Sequence, residues 1–176
     1  MFIYLMDFPS LLLIALALSM DAFAVAVAEG MASKGREIHM ALSFGIFQAF
    51  MPLIGWMAGI NAKRFISSTS YLAFLILFLI GIKMVYEAGE MERMEINSTS
   101  IIFLSIATSI DAMAVGVSLS LVGAKILFPA AVIGMVTFMV SMLGFFLSKK
   151  IKKGYMAEVA GGLILMAIGV KILLGW

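Results

Sequence analysis

Six long apolar stretches separated by short polar ones set the pattern of this chain. They run over 9–29, 41–60, 70–87, 100–121, 126–147 and 157–175. At about 1.5 Å of rise per residue each approaches the roughly 30 Å of bilayer hydrocarbon, so the pattern predicts six transmembrane helices. Polar residues gather in the connections. The first holds Lys34, Arg36, Glu37 and His39, the second Asn61, Lys63 and Arg64, and the third Glu90, Glu92, Arg93 and Glu95. The fourth is a turn around Gly123 and Lys125 ahead of Pro129, and the fifth is the cluster Lys149, Lys150, Lys152 and Lys153. The third connection is the longest and most polar. It divides a single transmembrane domain, 1–176, into a first unit at 9–87, a linker at 88–99 and a second unit at 100–176.

Two aspartates interrupt the apolar pattern at matching places. Ser19-Met20-Asp21-Ala22-Phe23-Ala24-Val25 returns 90 residues later as Ser109-Ile110-Asp111-Ala112-Met113-Ala114-Val115. On a helix Ala17, Asp21, Ala24 and Ala28 share a face, as do Ala107, Asp111, Ala114 and Ser118. Such a stripe of small side chains predicts close approach of another helix beside each acid. The repeat extends further: Gly45, Gln48 and Gly55 match Gly134, Thr137 and Gly144 at an offset of 89, and Gly81-Ile82-Lys83 matches Gly169-Val170-Lys171 at 88. Three helices is an odd number, so the second unit is expected to enter the membrane upside down. The predicted fold is all-α, six transmembrane helices as two inverted three-helix repeats, the plan of many secondary transporters.

Composition agrees with a membrane chain, being 64% hydrophobic with a mean hydropathy of +1.15, against about half apolar in soluble domains. Cysteine is absent, which excludes disulfides and thiolate metal sites. Asp7 and the lack of a basic segment ahead of the first apolar run make 9–29 a retained helix and not a cleaved signal. Connections one, three and five hold eight of the lysines and arginines, Lys83 included, against four on the other side. The positive-inside rule then puts the linker in the cytoplasm and both termini outside.

An ionised aspartate at the bilayer centre costs roughly 2.5–3.5 kcal/mol even on insertion scales, so Asp21 and Asp111 are the leading functional residues. Ser19, Thr108 and Ser109 bring hydroxyls beside them, either as ligands or back-bonded to the preceding turn. Gln48 lies four residues before Pro52, which cannot donate to the Gln48 carbonyl. That carbonyl and the side-chain amide oxygen are either cation ligands or parts of a kink. Glu158 opens the sixth helix, either as a ligand or as an acid favouring the helix N-terminus. Glu29 is read as interfacial, the sixteen methionines as packing, and Lys83 and Lys171 as snorkelling outward. Paired carboxylates with hydroxyls and carbonyls suit a hard or borderline divalent cation such as Mn²⁺, Mg²⁺ or Ca²⁺.

These motifs, together with Pro52-Leu53-Ile54-Gly55-Trp56 and Ala157-Glu158-Val159-Ala160-Gly161-Gly162, closely resemble the MntP family of bacterial and archaeal manganese efflux pumps, nearly end to end. The resemblance implies an exporter of the inner (plasma) membrane, not an enzyme. Its transported substrate would be manganese(II), with no cofactor. Asp21 and Asp111 would handle the metal, and Glu158 matches another recurring acid. Some members carry an acid where this chain has Gln48, and some have a longer charged insert in the central connection. No nucleotide-binding motif is present, so a coupling proton or sodium ion is expected. Beyond metal and lipid bilayer no partner is implied, nucleic acid included, and the oligomeric state stays open. The alternatives are export of another divalent cation (Cd²⁺, Mg²⁺, Ca²⁺) or of an amino acid. An amino acid would want a cationic group beside an acid at depth, and none is expected between the helices. An intramembrane aspartyl protease is disfavoured because Asp111 follows Thr108-Ser109-Ile110 and not a Gly-x-Gly context.

Overall fold

The computed structural model describes residues 8–30, 35–62, 69–87, 98–148 and 155–174. Among them the chain forms six helices: α1 (Phe8–Glu29), α2 (Glu37–Ala62), α3 (Thr69–Glu87), α4 (Ser98–Leu121), α5 (Leu127–Leu147) and α6 (Tyr155–Leu174). The predicted boundaries fail most at α2, which begins four residues early; its polar first turn carries Glu37, an acid suited to a helix N-terminus. Gly123, at φ 77°, ends α4 in the left-handed conformation that suits glycine, and Ala124 N–H donates to Leu119 O at 3.0 Å. Pro52 stands inside α2 without ending it.

α1, α2, α4 and α5 are long and apolar enough to cross a membrane. α3 and α6, of 19 and 20 residues, carry the apolar stretches Tyr71–Lys83 and Gly162–Leu174 among their described residues. Outer faces are apolar. Ile46, Phe50, Ile54 and Met57 form one such stripe on α2, and Met135, Met139, Leu143 and Phe146 its counterpart on α5. Ser19, Gln48, Ser105, Ser109, Ser118, Thr137 and Ser141 lie fully buried. A bilayer solvates the apolar exterior, so the buried polar groups, not the exposed apolar ones, call for explanation.

Glycines set how the helices pack. α2 and α4 run in the same direction: the Ser43 and Ser105 hydroxyls meet at 2.7 Å, Gly55 abuts the Met113 carbonyl, and Gly59 abuts Ser120. α1 and α5 also run together, with Gly144 against Phe23 and Ala26 and Gly30 against Ser148. α2 and α5 run opposite ways. Gly45 meets Phe138, Gly134 meets Ala49, and a Cβ on either glycine would stand 2.9 or 2.7 Å from the other's carbonyl oxygen. α3 and α6 are opposed too, Gly81 facing Gly162 and Met166 while Gly169 faces Phe74 and Leu77. It follows that α1 and α4, which carry the aspartates, run in opposite directions. The contacts pair off: Gly55 on Met113 corresponds to Gly144 on Phe23, 89 and 90 residues away.

The predicted close approach beside the aspartates holds in part: Ala17 and Ser118 are fully buried and Ala24 nearly so. Ala107 is exposed, whereas Ala22, Ala26 and Ala112 are fully buried and Gly116 abuts the Pro52 backbone. On α4 the backbones come closest at Gly116, where the side chain is smallest.

Candidate functional site

Gln48 ties the two aspartate motifs together. Its amide nitrogen donates to the carbonyl of Leu18 at 3.0 Å and to that of Thr108 at 3.1 Å. Leu18 and Thr108 are counterparts 90 residues apart, each three positions before its aspartate. Because one nitrogen reaches both, the two carbonyl oxygens lie within about 6 Å of each other. Carbonyls only accept hydrogen bonds, so the amide nitrogen must face them and the amide oxygen must face away. That oxygen, Gln48 Oε1, is buried and has no partner among the described residues. Leaving such an acceptor unpaired costs about 1–3 kcal/mol.

Asp21 and Asp111 each stand three residues, about 4.5 Å of helix rise, beyond the bridged carbonyls. Since α1 and α4 run in opposite directions, they lie on opposite sides of the Gln48 bridge. Helical side chains lean toward the helix N-terminus, so both aspartates start out leaning back toward it. Asp21 is half-buried. Asp111 is only 6% exposed, and its Oδ1 accepts from Lys83 Nζ at 3.0 Å.

This contact corrects two expectations. Lys83 does not snorkel outward, and a cationic group does stand beside an acid between the helices. A buried carboxylate without a counter-charge is costly, and the four-carbon lysine stem is long enough to deliver an ammonium to it. Its counterpart Lys171 behaves differently, donating to Ser10 Oγ at 2.6 Å near the start of α1. The signal for Lys83 was present, because lysine recurs at both Gly-x-Lys positions inside apolar runs. What spacing lacks is the identity of the neighbouring helix.

The hydroxyls divide. Ser19 donates to Leu16 O at 2.7 Å and Thr108 to Leu104 O at 3.0 Å, which are bonds back to their own helix. Ser109 Oγ is buried without a partner among the described residues, as are Thr137 Oγ1 and Ser141 Oγ on α5. Thr137 and Ser141 were not singled out as site residues, although Thr137 is the sequence counterpart of Gln48. Glu158 lies in the first turn of α6, but its side chain is outside the described residues. So are the side chain of Glu29 and the connections bearing Lys34, Lys63, Arg64, Glu90 to Glu95 and Lys149 to Lys153. Among the described residues no three His, Asp or Glu side chains cluster.

Residues 31–173 match the family described as "Mntp: Putative manganese efflux pump". The chain belongs to this family. It is 43% identical to a protein of Methanothermobacter thermautotrophicus over 96% of this chain and 97% of that one. Identity to a Methanoregula boonei protein is 45% over the same shares, and to a Syntrophotalea carbinolica protein 42% over 96% of each. All three relatives bear the name "Putative manganese efflux pump MntP". No solved structure matches the chain. As a family member with several apolar helices of spanning length, it is a multi-pass membrane protein, a transporter and not an enzyme.

Proposed function

We propose that this protein exports manganese(II) from the cytoplasm as a secondary transporter, binding the metal between Asp21 and Asp111. The observation that carries this reading is the Gln48 bridge. It joins the backbones of both aspartate motifs at equivalent residues and leaves a buried amide oxygen with no partner. Gln48 Oε1 and Ser109 Oγ are the neutral ligands, with Ser19 and Thr108 contributing the free lone pairs of their back-bonded hydroxyls. Two carboxylates cancel the ion's charge in low dielectric, and oxygen ligands suit Mn²⁺. The names of the relatives support manganese in particular.

In this reading all six helices span the inner membrane as one domain of two inverted three-helix repeats. The paired glycine contacts and the opposed directions of α1 and α4 support it. The lysine and arginine distribution supports a cytoplasmic linker and external termini. Transport is antiport: inbound protons, or less readily sodium ions, take the place of the metal at the aspartate site while one repeat rocks against the other. Glu158, near a helix start, serves entry or a proton step.

One observation favours a second reading. The Lys83–Asp111 pair offers complementary charges to the carboxylate and amine of an amino acid. The test is purified protein in sealed proteoliposomes, offered Mn²⁺, Cd²⁺, Mg²⁺, Ca²⁺ and a panel of amino acids. Manganese uptake above the other ions is expected. Amino-acid flux without manganese flux would install the second reading.

A further inference from the structure

We propose that the Lys83 ammonium is a tethered stand-in for the metal: it neutralises Asp111 when the transporter is empty, and manganese must displace it to bind. This rests on the manganese reading above and deepens it. The ammonium lies 3.0 Å from Asp111 Oδ1, within the space that a ligated cation would claim. The carboxylate is buried while the lysine side chain is 46% exposed, so the cation has room to withdraw and the acid has none. A carrier that returns empty has to move its carboxylates through low dielectric, where an uncompensated charge is costly. Lys83 removes that cost at Asp111 without a proton.

The counterpart lysine indicates where a displaced ammonium goes. Lys171 donates to Ser10 Oγ at 2.6 Å, and Ser10 is eleven residues, about 16 Å of helix rise, before Asp21. The positions equivalent to Ser10 and Asp21 on α4 are Ser100 and Asp111. So one lysine of the pair is engaged with the deep acid and the other with the shallow hydroxyl position. Exchange of those two arrangements is what opposite-facing states of an inverted repeat would require.

The chain contains no cysteine, so a single Lys83→Cys substitution can be modified selectively. Full-length Lys83→Cys and Lys83→Met proteins are reconstituted beside the unaltered chain and assayed for Mn²⁺ binding, Mn²⁺/Mn²⁺ exchange and net Mn²⁺ efflux. With the competitor gone, both variants should bind Mn²⁺ about tenfold more tightly. They should keep exchange, in which the carrier is loaded in both directions, and lose net efflux, which needs the empty return. Attaching an aminoethyl group to Cys at 83 by disulfide exchange should restore net efflux, and a neutral methylthio group should not. Unchanged affinity with an unchanged ratio of exchange to net efflux overturns the proposal, as does equal rescue by the neutral group. An unaltered chain that neither binds nor moves Mn²⁺ overturns the manganese reading together with this one.

Discussion

A carboxylate among apolar helices needs a partner in every state the protein visits, and Asp111 has one in Lys83. Asp21→Asn and Asp111→Asn should each abolish manganese efflux while leaving insertion intact. An amide is easier to bury than a charge, but it removes a ligand and half of the compensation for the ion. Rescue of a manganese-sensitive host by variants matched for membrane level checks this, and full rescue by either would refute it. Glu158→Gln should be milder, with damage equal to the aspartate variants moving Glu158 into the coordination shell. Gln48 gives a different prediction. Gln48→Glu cannot donate to Leu18 O and Thr108 O while ionised, and it sets a charge against two carbonyl oxygens. It should lower stability by about 1–3 kcal/mol, more than Gln48→Met, which only deletes the two bonds. Thermal unfolding in detergent without metal measures both, and Met proving the worse would show the bridge to be unimportant. The acids were legible because an ionisable residue inside an apolar run has few explanations. The bridge was not, because nothing in the spacing around Gln48 says that Leu18 and Thr108 stand on either side of it.

Helix position was largely legible, since 3.6-residue geometry and hydrocarbon thickness constrain a membrane helix tightly. Only the polar first turn of α2 fell outside the apolar boundaries by more than two residues. Which faces meet was less legible. The stripes through Asp21 and Asp111 count small residues correctly but miss that glycine outranks alanine. The α2–α4 and α1–α5 contacts turn on Gly55, Gly116 and Gly144 instead. Gly116→Ala places a Cβ against the Pro52 backbone, which cannot swing aside as a side chain would. The helices must separate, at about 1–3 kcal/mol. At Gly144 a Cβ would stand 2.8 Å from Ala26 Cβ and 3.0 Å from Phe23 O, so Gly144→Ala should cost less. Melting temperatures of the two variants check the order. The reverse order would mean that the α2–α4 contact yields more readily than its backbone packing implies.

For the molecule as a whole the question is what drives export. The cytoplasm is electrically negative, and moving one charge against the potential costs about 2.3 kcal/mol per 100 mV, hence about 4.6 for a divalent ion. The chain holds no nucleotide-binding motif to supply that energy, and a passive pore of this polarity would admit manganese. The proposed inverted repeats offer a different route. α1 and α4, running in opposite directions and joined at Gln48, can expose their aspartates alternately to each side while the bridge holds the centre. In the proposed cycle a proton or sodium ion arriving down its gradient would take the place of the metal on Asp21, and Lys83 would cover Asp111 on the return. Manganese flux in sealed vesicles should accelerate under an opposing proton gradient and stall when an ionophore collapses it. If sodium is the coupling ion, the sodium gradient should have that effect in its place. Flux that ignored both gradients and followed only manganese concentration and voltage would identify a channel. In that case the carboxylates would act as a selectivity ring, with no exchange of occupants at either acid.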